Sequence, residues 1–242
     1  MDLTEVMRTT PAVREFTPEP VDDATLYGVL ESARFAPSGG NRQPWRVVVV
    51  KDPTTRRAIA DLYALSWREY WAHVERGLVP FAPGESGSWE GPAVDLAAAR
   101  LRPAPDAFGD GLATVPVMLV VLAQLGSLAV TDNGLGRQSI VGGASVFPFT
   151  HNILLAARNA GLGGVMTTVL CRQSDAVQEL LGWPPAYVLA ALVVLGHPVR
   201  EVTRLRRREV AEIAFVDRFG GDPFTAADAT KTTDAAGGTG EP

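Results

Sequence analysis

Two apolar runs, Val115 to Ala123 and Val188 to Leu195, constrain the fold more than any other feature of the chain. A membrane-spanning helix takes about 20 apolar residues, so both runs are too short to cross a bilayer and suit strands buried on both faces. A shorter run, Val47 to Val50, reads the same way, and Val165 to Val169 follows a glycine turn as a further strand start. Helical periodicity fills the space between them, with Leu26, Val29, Leu30 and Ala33 in one helix and Ile59, Leu62, Leu65 and Tyr70 in another. At 242 residues and 46% hydrophobic, the chain can bury a full core, and one domain over residues 1–221 is expected.

The punctuation between these elements predicts their limits. Residues 2–9 form a short helix, and Asp22 or Asp23 caps one that runs to about Phe35. Pro53 to Trp71 is a long helix. Glycines and prolines then crowd residues 77–92 around Phe81 and Trp89, and a helical pattern returns over 93–112. Asn133-Gly134 marks a turn, and Ser145 is the expected cap of a helix reaching about Asn159. That helix is apolar on nearly every side, which places it in a core or at a subunit interface. Gly161 to Gly164 supplies a left-handed exit from it. Ser174 caps a last short helix closed by Gly182, and residues 222–242, poor in large apolar side chains, read as a disordered tail.

Several chemistries are excluded. The formal charge of −5 exerts no pull toward nucleic acid or an anionic membrane, and Arg204 to Arg208 has no interleaved aromatics. There is no G-x-G-x-x-G, neither lysine (Lys51, Lys231) sits in a phosphate-binding loop, and Gly143-Ala144-Ser145 lacks the closing glycine of a nucleophile elbow. His73, His151 and His197 stand alone, so no metal-ligand spacing exists. One cysteine, Cys171, rules out an intrachain disulfide and fits a reducing compartment. The acidic start, Met1 to Glu5, lacks the layout of a secretion signal, and a cytoplasmic protein is expected.

What remains is a polar loop, Ala36-Pro37-Ser38-Gly39-Gly40-Asn41-Arg42-Gln43-Pro44-Trp45, set between a helix and a buried strand. Its glycines permit positive φ or close approach to a ligand, and Ser38, Asn41 and Gln43 bring a hydroxyl and two amides suited to a heteroatom-rich ring. Upstream, Arg14 beside Thr9 and Thr10 supplies positive charge and O–H donors of the kind a phosphate needs, unless it is an ordinary solvated arginine.

Together, the basic N-terminal segment, the loop ending in Gln43-Pro44-Trp45, the Ser145 to Thr168 block and the Arg206 to Phe219 end resemble the FMN-dependent nitroreductase family. The resemblance implies an α+β fold, a mostly antiparallel sheet wrapped by helices, with the flavin at a homodimer interface. It implies FMN held by Arg14, Ser38, Gly39, Asn41, Gln43, Met166, Thr167, Thr168, Arg206 and Arg207, with NAD(P)H as co-substrate and a nitroaromatic, quinone or similar small acceptor. No side chain is assigned as a catalytic acid or base. Residues 73–112 would be a lid or insertion over the flavin, or an inert surface excursion. Pro11 and Ala12 depart from the family, standing where relatives carry arginine and serine. The same resemblance is compatible with a biosynthetic FMN oxidase using oxygen, or with a flavin-binding protein without turnover.

Overall fold

The computed structural model describes residues 1–227. Its centre is a four-stranded antiparallel sheet in the order β1-β2-β4-β3, made of Trp45–Val49 (β1), Val117–Gln124 (β2), Gly163–Thr167 (β3) and Tyr187–Gly196 (β4). Alternation along the two central strands explains the unbroken apolar runs. Met118, Val120, Leu122, Leu192 and Val194 face one core, while Leu119, Val121, Val193 and Leu195 face a second. Both faces being covered, neither strand has a polar side.

The first core is roofed by the helices Pro53–Val74 (α3), Phe108–Gly111 (α5) and Ser174–Leu181 (α7), the second by Asp23–Ala33 (α2) and Phe147–Asn159 (α6). A short helix, Leu3–Thr9 (α1), lies against α6. Asp2, Asp22 and Asp52 each accept a backbone N–H three residues on, which fixes the starts of α1, α2 and α3. Gly161 (φ 80°) and Gly182 (φ 71°) take the left-handed exits from α6 and α7. Between Val121 and Leu122 the β2–β4 register slips by one residue, a bulge beside which the Cys171 thiol faces the carbonyls of Leu189 and Ala190.

Three expectations fail locally. The helical pattern over 93–112 yields only Leu96–Arg100 (α4) and α5, because Pro103 and Pro105 remove two N–H donors between them. Ser145 is not the cap of α6, which begins at Phe147 with no side-chain cap, and Ser174 is the first residue of α7 rather than its cap. In α6 the apolar surface divides: Phe149, Ile153 and Ala157 are buried, whereas Phe147 is exposed.

The described residues 204–227 belong to a second compact unit, separate from Met1–Thr203. It contains a one-turn helix, Val210–Ile213 (α8), held by a reciprocal Glu209–Glu212 capping box. Phe215 pairs with Pro223, and the Phe224 N–H donates to the Ala214 carbonyl, so hydrogen bonding continues past Asp222. Residues 228–242 of the expected tail lie outside the described residues.

Candidate functional site

The polar loop has the geometry of a preformed recognition element. Gly40 is left-handed (φ 58°), but so are Asn41 (φ 52°) and Gln43 (φ 47°), two side-chain-bearing residues in a region that costs them strain. A cross-linked loop holds them there. The Gln43 N–H donates to Ser38 Oγ (3.0 Å), Gln43 Nε2 to Asn41 Oδ1 (3.0 Å) and Arg42 Nη1 to the Gly39 carbonyl (3.1 Å). Because Ser38 Oγ accepts inside the loop, its own proton is left to donate outward. Trp45 stacks on Phe149 (4.9 Å between centroids, 5° between planes), pinning the loop's end to α6. At Gly39 a Cβ would meet nothing closer than 3.6 Å, so the need for glycine inside the loop falls on Gly40.

Sequence reasoning missed Ser145 here. Its hydroxyl oxygen accepts the Gly39 N–H (3.0 Å), and Ser38, Gly39, Thr131 and Ser145 line a cavity of about 320 Å³. Nothing in the spacing of two residues 106 apart announces that contact.

The second region surrounds Arg14. Ala12 forms a bridge to Gly164 of β3, the Val13 N–H donates to the Gly164 carbonyl (2.9 Å), and Phe16 pairs with Pro198 just beyond β4. The segment borders a cavity of about 560 Å³ lined by Arg14, Phe108, Thr114 and Arg200, with Glu15 and Asp106 as its carboxylates. Asp106 is engaged by the Trp67 indole N–H (2.9 Å) and the Phe108 N–H (3.0 Å). Arg14 lies over the Phe108 ring at 5.8 Å. The two threonines expected to assist it do not, since Thr9 and Thr10 hydroxyls donate back to the Glu5 and Val6 carbonyls (2.8 and 2.6 Å).

The end of β3 splits its three candidates among different surroundings. Met166 faces the α6 core, its sulfur accepting from the Thr150 hydroxyl (3.0 Å). Thr167 points to the opposite face, 3.2 Å from the hydroxyl of the fully buried Tyr63, whose phenol burial pushes well above its usual pKa. Thr168 is exposed. Arg206 and Arg207 belong to the second unit, where Arg207 Nη1 donates to the Arg206 carbonyl (2.7 Å) and both side chains are exposed.

Sheet register shows how far apart the loop and the Arg14 segment stand. The loop enters at Trp45, level with Ala123 and Val188, whereas Val13 attaches at Gly164, level with Leu195. Three inter-strand spacings and seven residues of rise separate these anchors by roughly 14 Å across the sheet and 23 Å along it. Within one chain, Ser38 and Arg14 occupy opposite corners.

The sheet, covered on both faces, thus carries a strained polar loop and an arginine-lined cavity at opposite corners. The nitroreductase family model matches residues 7–197, and the chain belongs to that family. It is 30% identical over 198 residues to 5,6-dimethylbenzimidazole synthase of Rhodobacter capsulatus, covering 81% of this chain and 83% of the relative. It is also 28% identical to NADH dehydrogenase of Thermus thermophilus, covering 78% and 83%. A nitroreductase-assigned chain from Desulfovibrio desulfuricans, solved in complex with FMN, superposes with a TM-score of 0.61 at 20% identity, covering 90% of this chain and 98% of that one. At that identity the superposition establishes the fold. Among the described residues, no helix is long and apolar enough to cross a membrane and no metal-binding cluster exists.

Proposed function

We propose that this chain is an FMN-dependent oxidoreductase that takes hydride from NAD(P)H and delivers the electrons to a nitroaromatic, quinone or similar small acceptor. The observation carrying this reading is the Arg14 cavity of about 560 Å³ in a chain of the nitroreductase family. That volume lies within the range of cofactor pockets, and guanidinium groups at its wall match a phosphate. FMN held there would supply hydride transfer, chemistry that no side chain of this protein offers.

The protein's own part is to bind and orient. Arg14 holds the phosphate end, with Arg206 and Arg207 proposed to join it. Ser38 donates its free proton, and the Asn41 and Gln43 amides and the Gly39 backbone frame the ring and ribityl chain. Thr168, exposed just past β3, and the backbone of Met166 and Thr167, whose side chains turn to opposite faces, are proposed to border the ring. Because loop and cavity stand at opposite corners of one sheet, a homodimer unites them: the loop of one protomer meets the arginine cavity of its partner. The strongly exposed Leu3, Met7, Tyr27 and Phe35 on and beside α1 and α2 supply apolar surface for that contact. The segment at 73–112 contributes Asp106, Phe108 and Gly111 to the wall of the Arg14 cavity and is proposed to shape acceptor access.

The 30% identity to 5,6-dimethylbenzimidazole synthase favours one second reading, a biosynthetic FMN enzyme that uses oxygen. An anaerobic titration separates the two. A yellow protein bleached by stoichiometric NADH or NADPH supports the reductase, and one that stays yellow supports the oxygen-using reading. A protein that remains colourless when offered FMN refutes both.

A further inference from the structure

The helix α3 presents two faces. Ile59, Tyr63 and Trp67, spaced by four, turn into the first core. Ala58, Leu62 and Leu65 recur at helical spacing on another flank and stay half-buried. Across from them α7 buries Val177 but leaves Leu180 40% exposed. These two flanks, with Gly109 and Asp110 of α5, enclose a groove of about 790 Å³ that shares no residue with the Arg14 cavity. Its volume falls within the range of about 300–1,000 Å³ typical of small-molecule sites. The hollow exists because Ala58, Ala64 and Ala176 offer only methyl groups where facing helices ordinarily interlock larger side chains.

Charges along this groove are unevenly matched. Arg68 Nη2 pairs with Asp110 Oδ1 (3.5 Å), which joins α3 to α5. Among the described residues, Arg57, Asp61 and Glu179 have no ion-pair partner within 4.0 Å. Two carboxylates therefore stand against one guanidinium beside an aliphatic surface. Arg68 adds a narrower demand. Its Nη groups are engaged by Asp110 and the Arg100 carbonyl, but its Nε–H is buried without an acceptor. An oxygen on a bound molecule would satisfy that donor.

We propose that this groove is a second small-molecule site, one that takes an amphipathic organic cation. The apolar body lies on the alanine and leucine surface, a protonated amine sits by Asp61 and Glu179, and a carbonyl or sulfonyl oxygen meets the Arg68 Nε–H. Shape and apolar surface supply affinity, while the two unpaired carboxylates select the charge. The site stands whatever the Arg14 cavity binds. It nevertheless shares a wall with that cavity, since Phe108 and Gly111 of α5 line the one and Gly109 and Asp110 the other.

The test titrates the full chain with three fluorescent probes that share one body and differ in charge. Dansylcadaverine carries a primary amine, its N-acetyl derivative is neutral, and dansyl-aminohexanoate carries a carboxylate; each has a sulfonyl oxygen for Arg68. Fluorescence anisotropy is expected to show the amine binding about fivefold or more tighter than the neutral probe, with the carboxylate weakest. The double variant Asp61→Asn, Glu179→Gln should erase that preference while the neutral probe stays within about twofold, and rising salt should narrow it in the wild type. Ala64→Trp, which fills the groove from α3, should abolish binding of all three. Ala176→Leu narrows it from α7 with a milder substitution, so that a folded variant, checked by its thermal melt, is available even where the tryptophan disrupts packing. Absence of binding in the wild type would overturn the proposal. Equal affinity for the three probes would do so as well, because the carboxylates would then select nothing. Undiminished binding in a folded groove-filling variant would place the probe elsewhere and overturn it too.

Discussion

Glu69 carries a sharp stability prediction. Its side chain is wholly buried on α3, and its two oxygens accept from Arg100 Nε (2.6 Å) and Arg172 Nε (2.7 Å). One carboxylate thus ties α3 to α4 and to the 3-10 turn that precedes α7, while Arg172 also lies over the Phe81 ring at 4.3 Å. Replacing Glu69 with Ala deletes two charge-assisted hydrogen bonds, each worth about 1.5–3 kcal/mol. The arginines are 44% and 32% exposed, so both heads recover water when released and part of that sum is returned. A net cost of about 3 kcal/mol follows, together with a small cavity term. Urea unfolding of Glu69→Ala, Arg100→Ala, Arg172→Ala and the two doubles would measure it. The reasoning requires each double to be less destabilised than the sum of its singles by about 1 kcal/mol or more. Additive singles, or a Glu69→Ala loss below about 1 kcal/mol, would show that the buried carboxylate contributes little beyond its own desolvation.

Three further outcomes can be checked. At Gly164 an added Cβ would sit 2.6 Å from the Val194 carbonyl oxygen and would also strike Leu195 Cδ2, so Gly164→Ala should cost about 2 kcal/mol and displace the Arg14 segment, weakening FMN uptake. Gly142→Ala, with no contact nearer than 3.7 Å, is the control that should stay within about 0.5 kcal/mol in the same melt. The Asp132 carboxyl is held well below its usual pKa by the Ser139 hydroxyl, the Ile140 N–H and Arg137. A depressed folded value adds stability that is complete above the unfolded value of about 3.9 and is lost as pH falls through the folded one. The gap in urea midpoint between wild type and Asp132→Asn should therefore be widest near neutrality and close below about pH 4; a gap constant with pH would refute the assignment. Burial pushes the Cys171 thiol up to about 11, so it should resist a disulfide reagent at pH 8 in the native protein and react on unfolding. Rapid native labelling would contradict its placement against the bulge of β4.

Much of this architecture is written in local chemistry. The runs Val115 to Ala123 and Val188 to Leu195 could only be strands covered on both faces, and Asp2, Asp22 and Asp52 set helix starts through contacts three residues away. The loop from Ser38 to Trp45 was visible for the same reason, since its turn and donor residues are contiguous. Ordering along the chain, however, says nothing about pairing across it. Where the pattern of 93–112 suggested a helix, two prolines and packing against α3 left only single turns. Ser145 looked like a cap until folding brought Gly39 to its hydroxyl, and the threonines near Arg14 looked available until their helix claimed them.

The sequence by itself determined the strands, most helices and the residue types able to meet a flavin, because those follow from periodicity, capping and donor chemistry within a few residues. Only the tertiary structure decided that the loop and Arg14 lie at opposite corners of the sheet and that Arg200 lines the same cavity as Arg14. Both depend on strand register, a long-range hydrogen-bonding choice that no local pattern encodes.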